Sequence, residues 1–278
     1  MTIWVLLAVL AAAFLHALWN ALIRIGTSRA GAMLVLSLVQ IPIGLAIALP
    51  RDAMVSEAWP WVIGSGVVQC IYKVFLVLAH ERGDLSRVYP LSRGSAPLIV
   101  ALVGLFLLSD QISAGQYGGM ILLTFGIALM ARGVFTDGES RQMIPFALGS
   151  AMATASYTLI DGMGARVAAD AATYVAWVYV ADGLISSAVL LAWRGGAALP
   201  RVARAWAVGA FASLASYGAY GISIWAMTKA PIAVVAALRE TSILFAVLIG
   251  WLVFGEKMTR DKAAAAILIV IGVIVTRL

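Results

Sequence analysis

Lys73, Arg93, Asp161, Asp182, Arg239 and Glu240 each stand inside a long run of apolar residues. A charge in hydrocarbon surroundings costs at least about 2.5–3.5 kcal/mol, so such residues are kept for binding, for proton movement or for pairing with one another. Three are basic and three acidic, which suits either internal ion pairs or a shared water-filled cavity. Lys73 shares a helix face with Gln69, and a later segment carries Ser216 and Tyr220 at the same four-residue spacing. Those groups fit a solute bearing amino and carboxylate functions. Arg93 and Arg239 are candidate carboxylate clamps or gates. Glu240 adjoins Arg239 but points elsewhere, because neighbours on a helix do not face each other.

A second set could move protons. His16 and Asn20 lie four apart with Trp19 between them. Imidazole donates, accepts and titrates near neutrality; the alternative is a His bonded to a neighbouring helix. Tyr157, Thr158 and Asp161 form the matching set later in the chain. Asp161, Asp182 and Glu240 are the acids expected to exchange a proton. Trp177, Tyr217, Tyr220 and Trp225 are aromatic candidates for a cavity wall, though packing explains them equally. Enzyme signatures are missing: there is no HExxH, no phosphate-binding Gly loop and no Cys/His cluster. Gly64-Ser65-Gly66 has the look of a membrane serine protease but no well-placed His. The single cysteine, Cys70, permits no intrachain disulfide and no Cys-based metal site. We expect no metal and no cofactor.

The elements that must position these groups are membrane spans. Of the 278 residues 63% are hydrophobic and only 12% charged, against about 25% charged in a soluble domain. Apolar runs of the length needed to cross a bilayer cover 2–24, 31–50, 60–80, 87–108, 114–132, 144–163, 172–194, 204–228, 232–254 and 260–277. The first run has no basic leader and no clear cleavage site, so it reads as a span. Polar loops hold the breakers, and Trp4, Trp59, Trp61, Trp193 and Trp206 fall near span ends, where indole prefers the interface. Gly115 with Gly119, and Gly209 with Ser213, have the spacing of close helix contacts. Pro97 is expected to kink the fourth span. The net charge of +6 is spread singly over loops, which indicates lipid headgroups and membrane orientation, not nucleic acid.

The chain also repeats itself. At a shift of 146, Arg93 meets Arg239, Ser95 meets Thr241, Gly104 meets Gly250, Asp110 meets Glu256, Ser113 meets Thr259 and Gly126 meets Gly272. At a shift of 138, Ala17 meets Ala155, Trp19 meets Tyr157, Asn20 meets Thr158 and Gly26 meets Gly164. Two halves follow, 1–136 and 137–278. Each has five spans, an odd number, so the second must enter the membrane upside down. The expected fold is an all-α integral membrane protein of ten transmembrane helices, built as two inverted five-helix repeats around a central cavity. One unit used twice gives two packings of similar energy and a site near the midplane.

The stretches Leu-Ser-Asp-Gln-Ile-Ser at 108–113 and Phe-Gly-Glu-Lys-Met-Thr at 254–259, each followed by a span with a late Gly (Gly126, Gly272), resemble the repeated signature of EamA-type transporters of the drug/metabolite transporter superfamily. His-Ala-Leu-Trp-Asn at 16–20 is similar to the first-span motif of some members. Ser109-Asp110 departs from the usual Gly-Glu but keeps the acid. The resemblance implies ten helices, a cavity lined mainly by the first, third, fourth, sixth, eighth and ninth, and export of amino acids or other small metabolites across a bacterial-type cytoplasmic membrane. Its partners would be a small solute and lipid, with one copy sufficient. Within the signature, Ser113 and Gln116 have capping-box spacing, and Asp261 falls in the first turn of the last helix, where the dipole favours an acid.

Two other classes stay open on the residues alone: a membrane enzyme acting on lipid, and a non-transporting membrane partner. The loops put Arg24, Arg29, Arg82, Arg87, Arg132, Arg141, Arg194, Arg201, Arg204, Lys257, Arg260 and Lys262 on one side, against Arg51, Arg166, Lys229 and Arg277 on the other. The positive-inside rule then places both termini outside the cytoplasm, although relatives are often drawn the other way.

Overall fold

The computed structural model describes residues 1–23, 29–82, 96–131, 141–255 and 258–277. Among them the regular structure is helical: α1 (Ile3–Ile23), α2 (Arg29–Ala48), α3 (Trp59–Arg82), α4 (Ala96–Leu107), α5 (Ala114–Ala131), α6 (Ile144–Val167), α7 (Ala171–Arg194), α8 (Ala203–Met227), α9 (Ile232–Arg239), α10 (Ser242–Phe254) and α11 (Arg260–Val275). Within the described residues these coincide with the apolar runs to within a few residues; the first part of the fourth run, 87–95, lies outside them. Among the described residues six segments are long and apolar enough to cross a membrane: Ile3–Leu22, Ala30–Ala48, Ser56–Ala79, Ala171–Arg194, Ala203–Met227 and Ile232–Val253. Large apolar side chains such as Trp4, Phe106, Phe125, Leu252 and Ile267 face outward, as lipid requires and water does not tolerate in such numbers.

Local signals behave as their chemistry demands. The Ser113 N–H donates to Gln116 Oε1 at 3.0 Å while the Gln116 N–H donates to Ser113 Oγ at 3.2 Å, a reciprocal box at the start of α5. Thr259 accepts from the Lys262 N–H at the equivalent start of α11, and Asp261 lies in that first turn. The described part of α4 begins at Ala96, so the backbone before Pro97 lies outside the described residues. The ninth apolar run has a break that periodicity did not signal. It parts at Glu240–Thr241 into α9 and α10, where the Glu240 and Thr241 N–H groups bond three residues back and Thr241 Oγ1 donates to the Leu238 carbonyl at 2.7 Å.

Helices from the first half pack on helices from the second. The main partnerships are α1 with α8, α2 with α7, α3 with α6, and α5 with α11, with α4 against α9 and α6. Glycines set the closest approaches. A methyl group at Gly183 would stand 2.8 Å from both the Ser37 carbonyl and Ile41 Cγ1; one at Gly44 would stand 2.6 Å from the Ala176 carbonyl and 2.8 Å from Val180. Residue 44 thus meets 176–180 while 183 meets 37–41, so α2 and α7 run antiparallel. The same holds for α5 and α11: Gly126 meets Ala265 and Ile269, and Gly272 meets Gly119 and Leu123. The expected small-residue contacts at Gly119 and Gly209 are present, Gly209 lying against Val35.

At one end Asp170 caps α7, accepting from the Ala172 and Thr173 N–H groups at 3.0 and 3.1 Å and from the Thr173 hydroxyl at 2.6 Å. Burial raises its pKa, but the Thr173 hydroxyl, the two N–H groups and Arg51, 3.6 Å away, outweigh burial and hold it below the usual carboxylate range. A depressed carboxyl stabilises the fold above its unfolded pKa and loses that contribution as pH falls through the folded one. Asp170→Ala should therefore cost about 1 kcal/mol at neutral pH, a difference that shrinks below about pH 4 in pH-resolved unfolding. At the helix contact, Gly183→Val should cost about 1–3 kcal/mol through overpacking. Gly64→Ala, where a methyl meets nothing within 4 Å, should cost nothing. Thermal unfolding in detergent reads all of these.

Candidate functional site

Every helix facing the bundle interior turns a polar face inward at three- and four-residue spacing. α3 presents Ser65, Gln69 and Lys73, α2 presents Ser37 and Gln40, α7 presents Tyr179, Asp182 and Ser186, and α8 presents Ser216 and Tyr220. These faces meet around a small, partly enclosed cavity of about 50 Å³. Its wall includes His16, Trp19, Gln40, Gln69, Tyr72, Lys73, Tyr157, Tyr179, Ser216, Tyr220 and Arg239. Pockets that take small molecules run to about 300–1,000 Å³, so as it stands the space is too small for a metabolite. Helices α2 and α7 contribute Gln40 and Tyr179, beyond the six helices that the family resemblance implied.

Lys73 is the best-satisfied group. Its Nζ donates to Asp182 Oδ2 at 2.8 Å, to Gln40 Oε1 at 2.8 Å and to Ser37 Oγ at 3.0 Å. An ammonium has three donors, so all are used. Ser186 donates to the other Asp182 oxygen at 2.7 Å. The two side chains are 6% and 1% exposed, too little for water to replace either partner. Asp182, singled out as a proton-exchanging acid, is the counter-ion of the cation singled out as a solute ligand.

Asp161 is completely buried on α6. Its Oδ1 accepts from the Tyr174 hydroxyl at 3.1 Å. The Ser65 and Tyr220 hydroxyls and the Arg239 charge lie beside the same carboxyl, yet Oδ2 has no hydrogen-bond partner among the described residues. Gln69 Nε2 donates to Ser65 Oγ at 2.9 Å and to Tyr220 Oη at 3.1 Å, which connects this carboxyl to the cavity wall. Arg239 is 8% exposed and stands at the break after α9, where Glu240 is buried beside it.

The remaining candidates separate. His16 lines the cavity, and its Nδ1 accepts from Trp19 Nε1 at 3.2 Å, which leaves the proton of a neutral ring on Nε2. Asn20 donates to the His16 carbonyl at 2.8 Å and does not reach the cavity wall. Trp177 packs on Trp59 with ring centroids 5.1 Å apart, outside that wall. Arg93 lies outside the described residues. A second, open space of about 740 Å³ lies where α6 gives way to α7, against α8; its lining includes Arg166, Asp170, Tyr217, Trp225 and Lys229. Tyr217 packs edge-on to Tyr179, centroids 5.0 Å apart, so one ring faces the outer space and the other the inner cavity. Ser37, Gln40, Tyr72, Tyr174, Tyr179 and Ser186 are among the site residues that sequence reasoning missed. The signal was present as polar residues three or four apart within apolar runs.

These features define a multi-pass helical membrane protein with a polar interior. The EamA-like transporter family matches residues 141–278, and this half of the chain belongs to that family of membrane transporters of small solutes. One solved crystal structure superposes with a TM-score of 0.75 at 18% identity, covering 99% of this chain and 96% of its own. At that identity the likeness shows the fold, here over nearly the whole chain. No curated protein matches in sequence.

The saturated Lys73–Asp182 pair predicts unequal mutants. Asp182→Ala strands a buried ammonium and should cost about 3–5 kcal/mol. The double replacement Lys73→Met with Asp182→Leu should recover most of that loss. Thermal unfolding of the purified protein in detergent compares them.

Proposed function

We propose that this protein is a secondary transporter that exports amino acids or similar small metabolites across a bacterial-type cytoplasmic membrane by alternating access. Its moving parts are residues 1–136 and 137–278, two inverted copies of a five-helix unit within ten spans. The observation that carries this is the small polar cavity between helices of both halves, with Tyr179 on its wall packed against Tyr217 on the wall of the larger outer space. A cavity too small for any metabolite, between a charged interior and a wide vestibule, fits an occluded state that must expand to admit solute.

The helix contacts support the inverted repeat. Exchanging the halves maps Gly44–Val180 onto Gly183–Ile41 at a shift of 139, and Gly126–Ile269 onto Gly272–Leu123 at a shift of 146. Equivalent helices packing antiparallel with reciprocal contacts is what a two-fold axis in the membrane plane produces. The repeat completes the path within one chain, so a monomer suffices. Gln69, Ser216, Tyr220 and Arg239 are the proposed solute contacts on the cavity wall, with Arg239 positioned for a carboxylate; Lys73 lines the same wall but, with its three donors taken, is proposed to hold the site's shape and not to grip solute directly. Asn20 and Trp177 would act from behind the wall, and Arg93 is proposed from its repeat mate Arg239. Among the coupling candidates His16, Asp161, Asp182 and Glu240, Asp161 is favoured. Its second oxygen is unsatisfied, and a Gln69–Tyr220 hydrogen bond links it to the cavity.

Proteoliposomes loaded with a panel of amino acids and related metabolites test the reading. One solute should cross unchanged, Arg239→Gln should cut its flux about tenfold or more through a lost charge-assisted bond, and Asp161→Asn should remove the response to a pH gradient. A chemically altered product would indicate an enzyme instead. No movement of any solute would leave a non-transporting membrane partner.

A further inference from the structure

A polar cluster lies outside the cavity, at the end of the bundle that carries Arg51 and Lys229. Asp110 follows α4, in the first half, and Arg166 lies in the last turn of α6, in the second. Arg166 Nη1 donates to Asp110 Oδ1 at 2.8 Å and Nη2 to Asp110 Oδ2 at 3.1 Å, the bidentate geometry of a strong pair. Arg166 also donates to two carbonyls at the end of α8: Nε to Met227 at 3.0 Å and Nη2 to Ala230 at 3.3 Å. Asp110 Oδ2 accepts the Ile232 N–H, the first of α9, at 2.9 Å. Each charge therefore meets the helix end whose dipole favours it: the acid at an N-terminus and the base at a C-terminus. Three hydrogen bonds thus join the connection after α4 to α6 and α9, and two more tie α6 to the end of α8 and the residues after it.

We propose that the Asp110–Arg166 pair is the latch that closes this end of the protein, and that it parts and re-forms in each transport cycle. This rests on the alternating-access reading above, which requires the two halves to separate at one end at a time. Among the described residues four ion pairs cross between the halves: Lys73–Asp182, Asp110–Arg166, Glu81–Arg194 at the opposite end of α3 and α7, and the looser, exposed Arg51–Asp170 contact at 3.6 Å. The first two differ in what parting would leave behind. Lys73 and Asp182 are 6% and 1% exposed, so separating them strands two charges without water. Arg166 and Asp110 are 34% and 14% exposed, and Arg166 borders the 740 Å³ outer space. Water already adjoins this pair and can take over each released group, so the contact holds when made and costs little when broken. The acid of the repeated signature thereby gains a mechanical role in the first half. Its mate Glu256 lies outside the described residues.

Spin labels at the exposed positions Gln111 and Lys229, introduced as Gln111→Cys and Lys229→Cys with Cys70→Ser, span the two halves at this end without touching the latch. Pulsed electron–electron distance measurement on the full chain in detergent should give a dominant short distance. Asp110→Asn keeps the size and the acceptor for Ile232 but removes the charge. It should raise the share of a longer distance about tenfold relative to the parent, as loss of a charged hydrogen-bonded pair implies, and Asp110→Glu should restore most of the short population. Arg166→Gln is the second variant and should act like Asp110→Asn. Distance distributions that coincide for the parent and whichever of Asp110→Asn and Arg166→Gln elutes as monodisperse, folded protein would overturn the latch. Flux in proteoliposomes is read separately. Solute movement with unchanged distances defeats the latch alone, whereas shifted distances without movement of any solute defeat the transport reading and leave the contact as a hinge.

Discussion

In a bilayer, apolar side chains gain nothing by leaving lipid for one another, so helices are held by close backbone approach and by polar contacts. That constraint governs this bundle. At Gly44, Gly183, Gly126 and Gly272 a single added methyl would run into the facing helix's carbonyl or backbone amide within about the 3.0 Å that packed atoms never reach. Each of these contacts joins one half of the chain to the other. The halves thus touch along narrow glycine-lined seams, α2 on α7 and α5 on α11, and the wider side chains are displaced toward the space between. The cavity borders the α2–α7 seam, from which Gln40 and Tyr179 reach its wall, and Tyr72, Tyr157 and Tyr220 line it from the other helices.

The polar interior follows from the same solvent. A group that cannot reach water must find a protein partner. Lys73 finds three, drawn from α2 and α7, and in doing so fixes the rotation of α3 against both. Asp161 is served unequally, with one oxygen bonded to Tyr174 and the other left without a hydrogen bond. Saturation suits a structural joint. An incompletely satisfied carboxyl beside a cavity suits a group that changes partners. The two charged centres of the interior therefore differ in kind, although composition alone gave them equal standing.

Much of this was legible from residue types. The apolar runs located the helices to within a few residues, because a span must satisfy its own backbone and therefore advertises itself in length and hydropathy. The spacing of Ser113 and Gln116 gave the cap of α5, and the shift of 146 paired Gly126 with Gly272. The candidates Gln69, Lys73, Ser216, Tyr220, Arg239 and His16 do share one cavity. What sequence withheld was orientation between helices. Periodicity shows that Lys73 and Gln69 share a face, but not that the face opposes Asp182. Asn20 and Trp177 looked like wall residues until their own neighbours claimed them. The break at Glu240–Thr241 was also hidden, since no Gly or Pro marks it; it is held by three-residue backbone bonds and by the Thr241 hydroxyl.

That break places charge where the membrane would otherwise forbid it. A continuous helix satisfies its carbonyls four residues on, and a turn of three-residue bonds interrupts that ladder. Here the interruption falls at Glu240 and Thr241, just after Arg239, which lines the cavity. The end of α9 directs its partial negative charge toward the guanidinium in its last turn, the arrangement that favours a cation there. The Arg239 charge is thus accommodated by backbone dipole and by the nearby Asp161 carboxyl, while the side chain stays available to the cavity. Discontinuous helices in transporters serve this purpose, presenting a helix end to a polar site at mid-bilayer. In this protein the discontinuity, the carboxyl with one unbonded oxygen and the small cavity lie together, which is why a solute site is proposed there and not elsewhere in the packed core.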